Sequence, residues 1–124
     1  MNKRKVEEYI PVAIKALKNE NLKIAKNGKI EKTFRGAIST FGAAITMGSF
    51  RAAVAFFSDK GSSTIERTEL IKALYFITKG QWKEAKDIFD EVSDLKGKSM
   101  DEMKEDFINA SVALKLAMNS FDLV

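Results

Sequence analysis

Carboxylate side chains are the first candidates for chemistry in this sequence of 124 residues, which contains no histidine and no cysteine. Two groups of them fall at helical spacing: Asp87, Asp90 and Asp94, and then Asp101, Glu102, Glu105 and Asp106. Paired carboxylates can act as general acids and bases or hold a divalent cation, but only where burial or a cleft shifts their pKa values. Both groups fall on polar faces of predicted helices, and the second suits a helix N-terminus for reasons of the helix dipole alone. We therefore expect no catalytic residues, no metal site and no cofactor.

Basic residues are unevenly distributed along the chain. Residues 1–80 hold 15 Lys and Arg against 7 Asp and Glu, and residues 81–124 hold 6 against 10, which together give the net charge of +4. This asymmetry predicts a polyanion-binding surface in the basic part, although a Lys-rich helix is often only a solvated face. The basic side chains are densest at Lys15, Lys18, Lys23, Lys26, Lys29, Lys32 and Arg35. Because no aromatic residues alternate with them, we expect contact with phosphates rather than stacking on bases.

Helical periodicity dominates the elements that would have to position these side chains. Apolar residues recur three or four positions apart in most segments, as in Phe34, Ile38, Phe41 and Ile45, and no segment alternates with period two for long. The pattern predicts an all-α fold, a single compact bundle of about six helices that forms one domain over residues 1–124. Residues 18–29 are interpreted as a polar, Lys-rich connector. Turns are expected at Gly28, Gly48, Gly61, Gly80 and Gly97.

Local signals predict where several helices begin and end. Residues 63–66 (Ser-Thr-Ile-Glu) and 99–102 (Ser-Met-Asp-Glu) both fit a capping box at a helix start. The last helix is expected to carry an inward apolar stripe from position 100 to Phe121, and packing within the chain explains this stripe better than a coiled coil. Pro11 should either start the first main helix or kink it, because it lacks an N–H and crowds the preceding turn.

Residues 34–57 form a long stretch with only two charges, Arg35 and Arg51. A membrane span needs about twenty predominantly apolar residues, and the polar and glycine interruptions here argue against one. The pair Gly48-Ser49 is typical of one helix ending and the next being capped, which predicts a helical hairpin. Its inner face is apolar, whereas small uncharged side chains on the outer face would permit close approach of a partner protein. This predicted protein interface consists of Ser39, Gly42, Ala43 and Thr46.

The same stretch resembles a known family. Residues 32–61 (KTFRGAISTFGAAITMGSFRAAVAFFSDKG) are similar to the signature region of the small subunit of type III-B (Cmr) CRISPR effector complexes. The matching features are Arg35-Gly36, the segment 38–42 (Ile-Ser-Thr-Phe-Gly), Gly48 at the turn, and the segment 53–58 (Ala-Val-Ala-Phe-Phe-Ser) with Lys60. The chain length and the all-helical pattern agree with that family too, whereas Gly48-Ser49 stands where many members have Gly-Leu.

The resemblance implies a non-catalytic subunit of an RNA-guided interference complex. Copies of such a subunit stack along a filament of backbone subunits and help form the groove in which guide RNA pairs with target RNA. The partners would then be other subunits of the complex, including backbone subunits and copies of this chain, and the guide and target RNA backbone, with no membrane. The face expected to bind RNA consists of Lys15, Lys18, Lys26, Lys29, Lys32, Arg35, Arg51 and Lys60.

A free-standing helical adaptor is the alternative interpretation. In that case the hairpin would bind a protein partner, and the chain would have no role with RNA. The basic N-terminus lacks the apolar segment of a secretory signal, so we expect a cytoplasmic protein.

Overall fold

Six α-helices make up most of the computed structural model, which describes residues 1–59 and 67–124. The helices are α1 (Lys3–Leu17), α2 (Lys32–Met47), α3 (Phe50–Ser58), α4 (Arg67–Lys79), α5 (Ala85–Asp94) and α6 (Gly97–Ala117). A 3-10 turn (Met118–Ser120) follows α6, and three two-residue strands, β1 (Ala25–Lys26), β2 (Lys29–Ile30) and β3 (Asp122–Leu123), form one small sheet. The prediction of an all-α bundle with about six helices is confirmed. Within the described ranges, no helix is long and apolar enough to cross a membrane.

Aromatic side chains from three helices meet in the core of the bundle. The ring centre of Phe41 on α2 lies 5.0 Å from that of Phe57 on α3 and 6.4 Å from that of Phe107 on α6. All three side chains are fully or almost fully buried. Buried apolar residues of all six helices belong to the same core cluster. The inward stripe predicted for α2 is therefore part of the core.

The turn between α2 and α3 forms as predicted. Helix α2 ends at Met47, and Gly48 follows it. The side chain of Ser49 then accepts a hydrogen bond from the Ala52 N–H at 3.0 Å, which caps the start of α3. Gly80 likewise follows the end of α4, with a positive φ of 73°. The capping box at 63–66 and the turn at Gly61 lie outside the described residues.

The predicted limits of the last helix are wrong. Helix α6 begins at Gly97, so Ser99 does not cap it, and its hydroxyl donates instead to the Lys96 carbonyl at 2.9 Å. The same helix ends at Ala117, and Phe121 is extended (φ −115°, ψ 160°) rather than helical. The Ser120 hydroxyl donates to the Ala117 carbonyl at 2.7 Å and so competes with continuation of the helix. Pro11 does not start α1 but lies inside it, on an exposed position.

The small sheet was not predicted. Strands β1 and β2 pair antiparallel around Asn27-Gly28, whose φ angles of 54° and 76° match a type I′ turn. The signal was present, because Asn-Gly between alternating apolar and polar residues favours a hairpin. Strand β3 comes from the other end of the chain and pairs parallel with β2. No local pattern indicates that third strand.

Candidate nucleic-acid interface

The tip of the β1–β2 hairpin brings two predicted site residues together. Lys26 and Lys29 are direct partners across the antiparallel pair, and both are exposed. Side chains in this relation lie on the same face of the hairpin, with Cβ atoms about 4.5–5.5 Å apart. The two lysine side chains therefore start from neighbouring points on one face of the hairpin.

The first turn of α2 continues this basic surface. Lys32 is the first residue of the helix and is exposed, whereas Arg35 is half-buried. No acidic residue lies in the first turn, and Glu31 at the N-cap makes no capping bond with its side chain. The N–H groups at a helix start carry partial positive charge, so the dipole of α2 adds to the positive potential. We call Lys26, Lys29 and Lys32 the hairpin cluster.

Lys15 and Lys18 lie where α1 ends, and both are exposed. The chain between them and the hairpin is anchored by Glu69, a buried carboxylate on α4. Glu69 Oε2 accepts the backbone N–H of Lys23 at 3.0 Å, and Lys72 Nζ lies 3.4 Å from Glu69 Oε1. A buried carboxylate is costly to leave unpaired, so these bonds hold the connector on α4. Sequence reasoning missed Glu69 because Lys23 lies 46 positions away.

The predicted basic residues at this end of the molecule have no carboxylate partner in the described ranges. The basic members of the ion pairs in the described ranges are Lys72, Lys83 and Lys98 instead. Residues 23–35 contain five basic side chains against a single acidic one, Glu31. In the described residues Lys26, Lys29 and Lys32 form no ion pair with a carboxylate, although Asp122 is the register partner of Lys29 on β3.

Arg51 does not join the hairpin cluster. Its guanidinium donates a hydrogen bond to the carbonyl oxygen of Leu95, just after α5. Helix α2 has 16 residues, which corresponds to about 24 Å, and it separates Arg51 from Lys32. Lys60 lies outside the described residues. Among the described members of the predicted RNA-binding set, Arg51 therefore lies apart from Lys26, Lys29 and Lys32.

The outer face of α2 is exposed at Ser39, Ala43 and Thr46. The Ser39 hydroxyl donates to the Arg35 carbonyl at 3.1 Å, and the Thr46 hydroxyl donates to the Gly42 carbonyl at 3.0 Å. Because these hydroxyls are satisfied within the helix, the face is smoother and less polar than its composition suggests. Gly42 differs from the other three, since it is half-buried and an added Cβ would lie 3.9 Å from Ser111 Oγ on α6.

The acidic groups do not form a metal centre in the described part of the chain. No set of three or more carboxylates there could hold a metal ion. Asp87, Asp90 and Asp94 are exposed on α5. The acidic residues of α6 line an open surface depression that also contains Lys98, which brings a positive charge into the set.

A separate polar cluster joins α4 to α5. Glu91 Oε1 accepts hydrogen bonds from the buried Tyr75 hydroxyl at 2.8 Å and from Lys83 Nζ at 2.6 Å. Burial alone would raise the pKa of Glu91, but the hydrogen bonds from Lys83 and Tyr75 outweigh it, so the pKa is lowered. Burial and the bond to Glu91 raise the pKa of Tyr75. The cluster is a structural clamp that sequence reasoning missed, because its members come from three separate segments.

Comparison with known proteins adds no family to this description. No protein-family model matches the chain, and searches of curated proteins and of solved structures find no match. The similarity of residues 32–61 to the Cmr small subunit therefore stays a prediction from the sequence.

Proposed function

We propose that the chain is a non-catalytic, RNA-binding small subunit of an RNA-guided type III-B CRISPR complex in the cytoplasm. The family part of this proposal rests on the resemblance of residues 32–61. The RNA-binding part rests on one observation of the structure: Lys26 and Lys29 are direct cross-strand partners, and neither forms an ion pair in the described ranges.

Like charges directly opposite each other destabilise an antiparallel pair. Asp122, the register partner of Lys29 on β3, offsets part of this cost by its proximity, but neither it nor Glu31 forms an ion pair in the described structure. A polyanion would remove the repulsion, since each phosphate can accept from a neighbouring ammonium group. The hairpin is therefore better suited to a phosphate backbone than to an apolar partner.

The chemistry of the hairpin cluster favours phosphate contacts without base recognition. Lysine acts as a flexible point charge and presents no planar fork for a base edge. The hairpin residues 25–30 include no aromatic side chain on which a base could stack. We expect weak binding that is nearly indifferent to RNA sequence and that weakens with salt, by about 0.7 log units per log unit of salt for each phosphate contact on a single strand.

The outer face of α2 is the proposed contact with neighbouring subunits. Ser39, Ala43 and Thr46 are exposed, and the hydroxyls are bonded within their own helix. A helix with small side chains and few free polar groups allows a second backbone to approach closely without leaving polar groups unpaired. We assign assembly to this face and RNA contact to the hairpin cluster at the start of the same helix.

Fluorescence anisotropy of labelled single-stranded RNA across a salt series tests the RNA-binding proposal. Replacing Lys26, Lys29 and Lys32 together by Ala should weaken binding and flatten the salt slope by about 2, the value for three phosphate contacts. The matched control replaces three exposed lysines of the acidic end, which leaves the net charge of the two variants equal. These control positions are Lys86, Lys96 and Lys98.

The control variant should keep the slope of the unmodified protein. Equal slopes in the two variants would show that only net charge matters, and a strong preference for one RNA sequence would contradict phosphate contact. Absence of RNA binding by the unmodified protein would favour the adaptor alternative.

A further inference from the structure

We propose that β3, near the C-terminus, is the element that positions the hairpin cluster for RNA. This inference rests on the proposed function, because it concerns the same site. It assigns a role to residues 122–124, which no local sequence pattern connects with residues 26–32.

Three backbone hydrogen bonds join the C-terminal segment to the hairpin and to α2. The Asp122 N–H donates to the Gly28 carbonyl at 3.0 Å, and the Val124 N–H donates to the Ile30 carbonyl at 2.9 Å. In the opposite direction, the Lys32 N–H donates to the Val124 carbonyl at 3.0 Å. The three bonds reach the turn, the second strand and the first residue of α2, so they support the part of the hairpin cluster that contains Lys29 and Lys32.

The hairpin needs this support because its strands are only two residues long. A two-stranded hairpin by itself is marginally stable in water, and a third strand or packing against a helix is needed for stability. The base of the hairpin has such packing, since Ile24 and Ile30 are buried and Lys23 is bonded to Glu69. The turn lacks it, because Asn27 and Gly28 are exposed and an added Cβ on Gly28 would meet nothing within 4 Å.

The bond from Asp122 to Gly28 is therefore the backbone contact from outside the hairpin that supports the turn. Without it, only the marginal two-residue pairing of β1 with β2 would keep Lys26 and Lys29 aligned against their mutual repulsion, and RNA binding would have to restore the alignment where that pairing opens. Ordering mobile residues on binding lowers affinity. Removal of one such hydrogen bond should weaken RNA binding by about fivefold.

A matched pair of substitutions at position 122 isolates this bond. Asp122→Pro removes the N–H, and Asp122→Ala keeps it, while both remove the carboxylate that faces Lys29. The residue before position 122 suits a proline, because Phe121 is already extended, with φ −115° and ψ 160°. Val124→Pro and Val124→Ala repeat the comparison at the bond to Ile30, in case the first proline variant fails to fold.

The measurements are NMR order parameters of the hairpin amides and RNA affinity by anisotropy, with far-UV circular dichroism as the check on folding. The proline variants should lower the order parameters of Asn27, Gly28 and Lys29 and weaken RNA binding by about fivefold relative to the alanine variants. Unchanged order parameters would overturn the inference, and so would lowered order parameters with unchanged affinity.

The proposed function can fail separately from this inference. If the unmodified protein does not bind RNA, the proposed function is wrong and the role of β3 in RNA binding is overturned with it. If the unmodified protein binds RNA and the alanine and proline variants bind equally, the proposed function stands and only the inference about β3 is wrong.

Discussion

Replacement of Phe41 by Ala should cause one of the largest losses of stability available in this chain. Phe41 is fully buried, and its ring centre lies 5.0 Å from that of Phe57 in an edge-to-face arrangement. Burial of a phenylalanine side chain contributes about 1.5–3 kcal/mol, and an aromatic pair adds about 0.5–1.5 kcal/mol. With the cavity that would remain between α2, α3 and α6, we expect a loss of about 3–5 kcal/mol in the free energy of unfolding.

Urea denaturation followed by circular dichroism measures this loss as a lower midpoint with an unchanged slope. In thermal unfolding, a loss of about 4 kcal/mol corresponds to a decrease of about 15 °C in Tm for a chain of this length. The matched control is Phe56→Ala, because Phe56 is 53% exposed and packs against Arg67 at 4.0 Å from the ring centroid. That control should lose only about 1 kcal/mol. Similar losses in the two variants would refute the assignment of Phe41 to the packed centre.

Two further predictions concern assembly and pH. Ala43→Arg should reduce co-purification with backbone subunits, while the urea midpoint stays close to that of the unmodified protein because Ala43 is exposed. Lys86→Ala is the control. Undiminished co-purification of the arginine variant would contradict the assignment of this face to assembly. The lowered pKa of Glu91 contributes stability that is present above its ordinary value of 4.5 and is lost as the pH falls through the folded-state pKa. Glu91→Gln should therefore flatten the acid limb of a plot of unfolding free energy against pH, and an unchanged acid limb would count against the clamp. The hydrogen bond to Glu91 raises the pKa of Lys83, and the pKa of Tyr75 is raised as well. Both groups therefore contribute stability that is lost only as the pH rises above about 10, so the same plot should stay flat between these limits as far as this cluster is concerned.

The amino-acid sequence by itself was sufficient for the helical class and for much of the core. Phe34, Ile38, Phe41 and Ile45 are all buried on α2, as their spacing predicted. Such predictions succeed because the period of an α-helix is a local property, and residues three or four positions apart lie on one face in any fold. The Gly48-Ser49 turn was predictable for the same reason, since the cap bond from Ala52 to Ser49 joins residues of one helical turn.

The candidate site was only partly predictable. Lys26, Lys29 and Lys32 are close in sequence, so the density of positive charge was visible without a structure. Their alignment was not, because it depends on a type I′ turn that the dominant helical periodicity concealed. Arg51 is also basic but lies away from these lysines, because the length of α2 separates it from Lys32. Its guanidinium donates a hydrogen bond to the Leu95 carbonyl instead.

Tertiary structure alone decided what holds the site in position. The buried carboxylate of Glu69 anchors Lys23, and β3 pairs with β2, although the partners in each case are far apart in the chain. Gly42 illustrates the same limit, since the passage of α6 beside it makes it half-buried rather than part of an open face. Contacts of this kind form only when the fold brings distant backbone groups within hydrogen-bonding distance. The entropic cost of closing such long loops is offset by the burial of the whole core and not by any local sequence pattern.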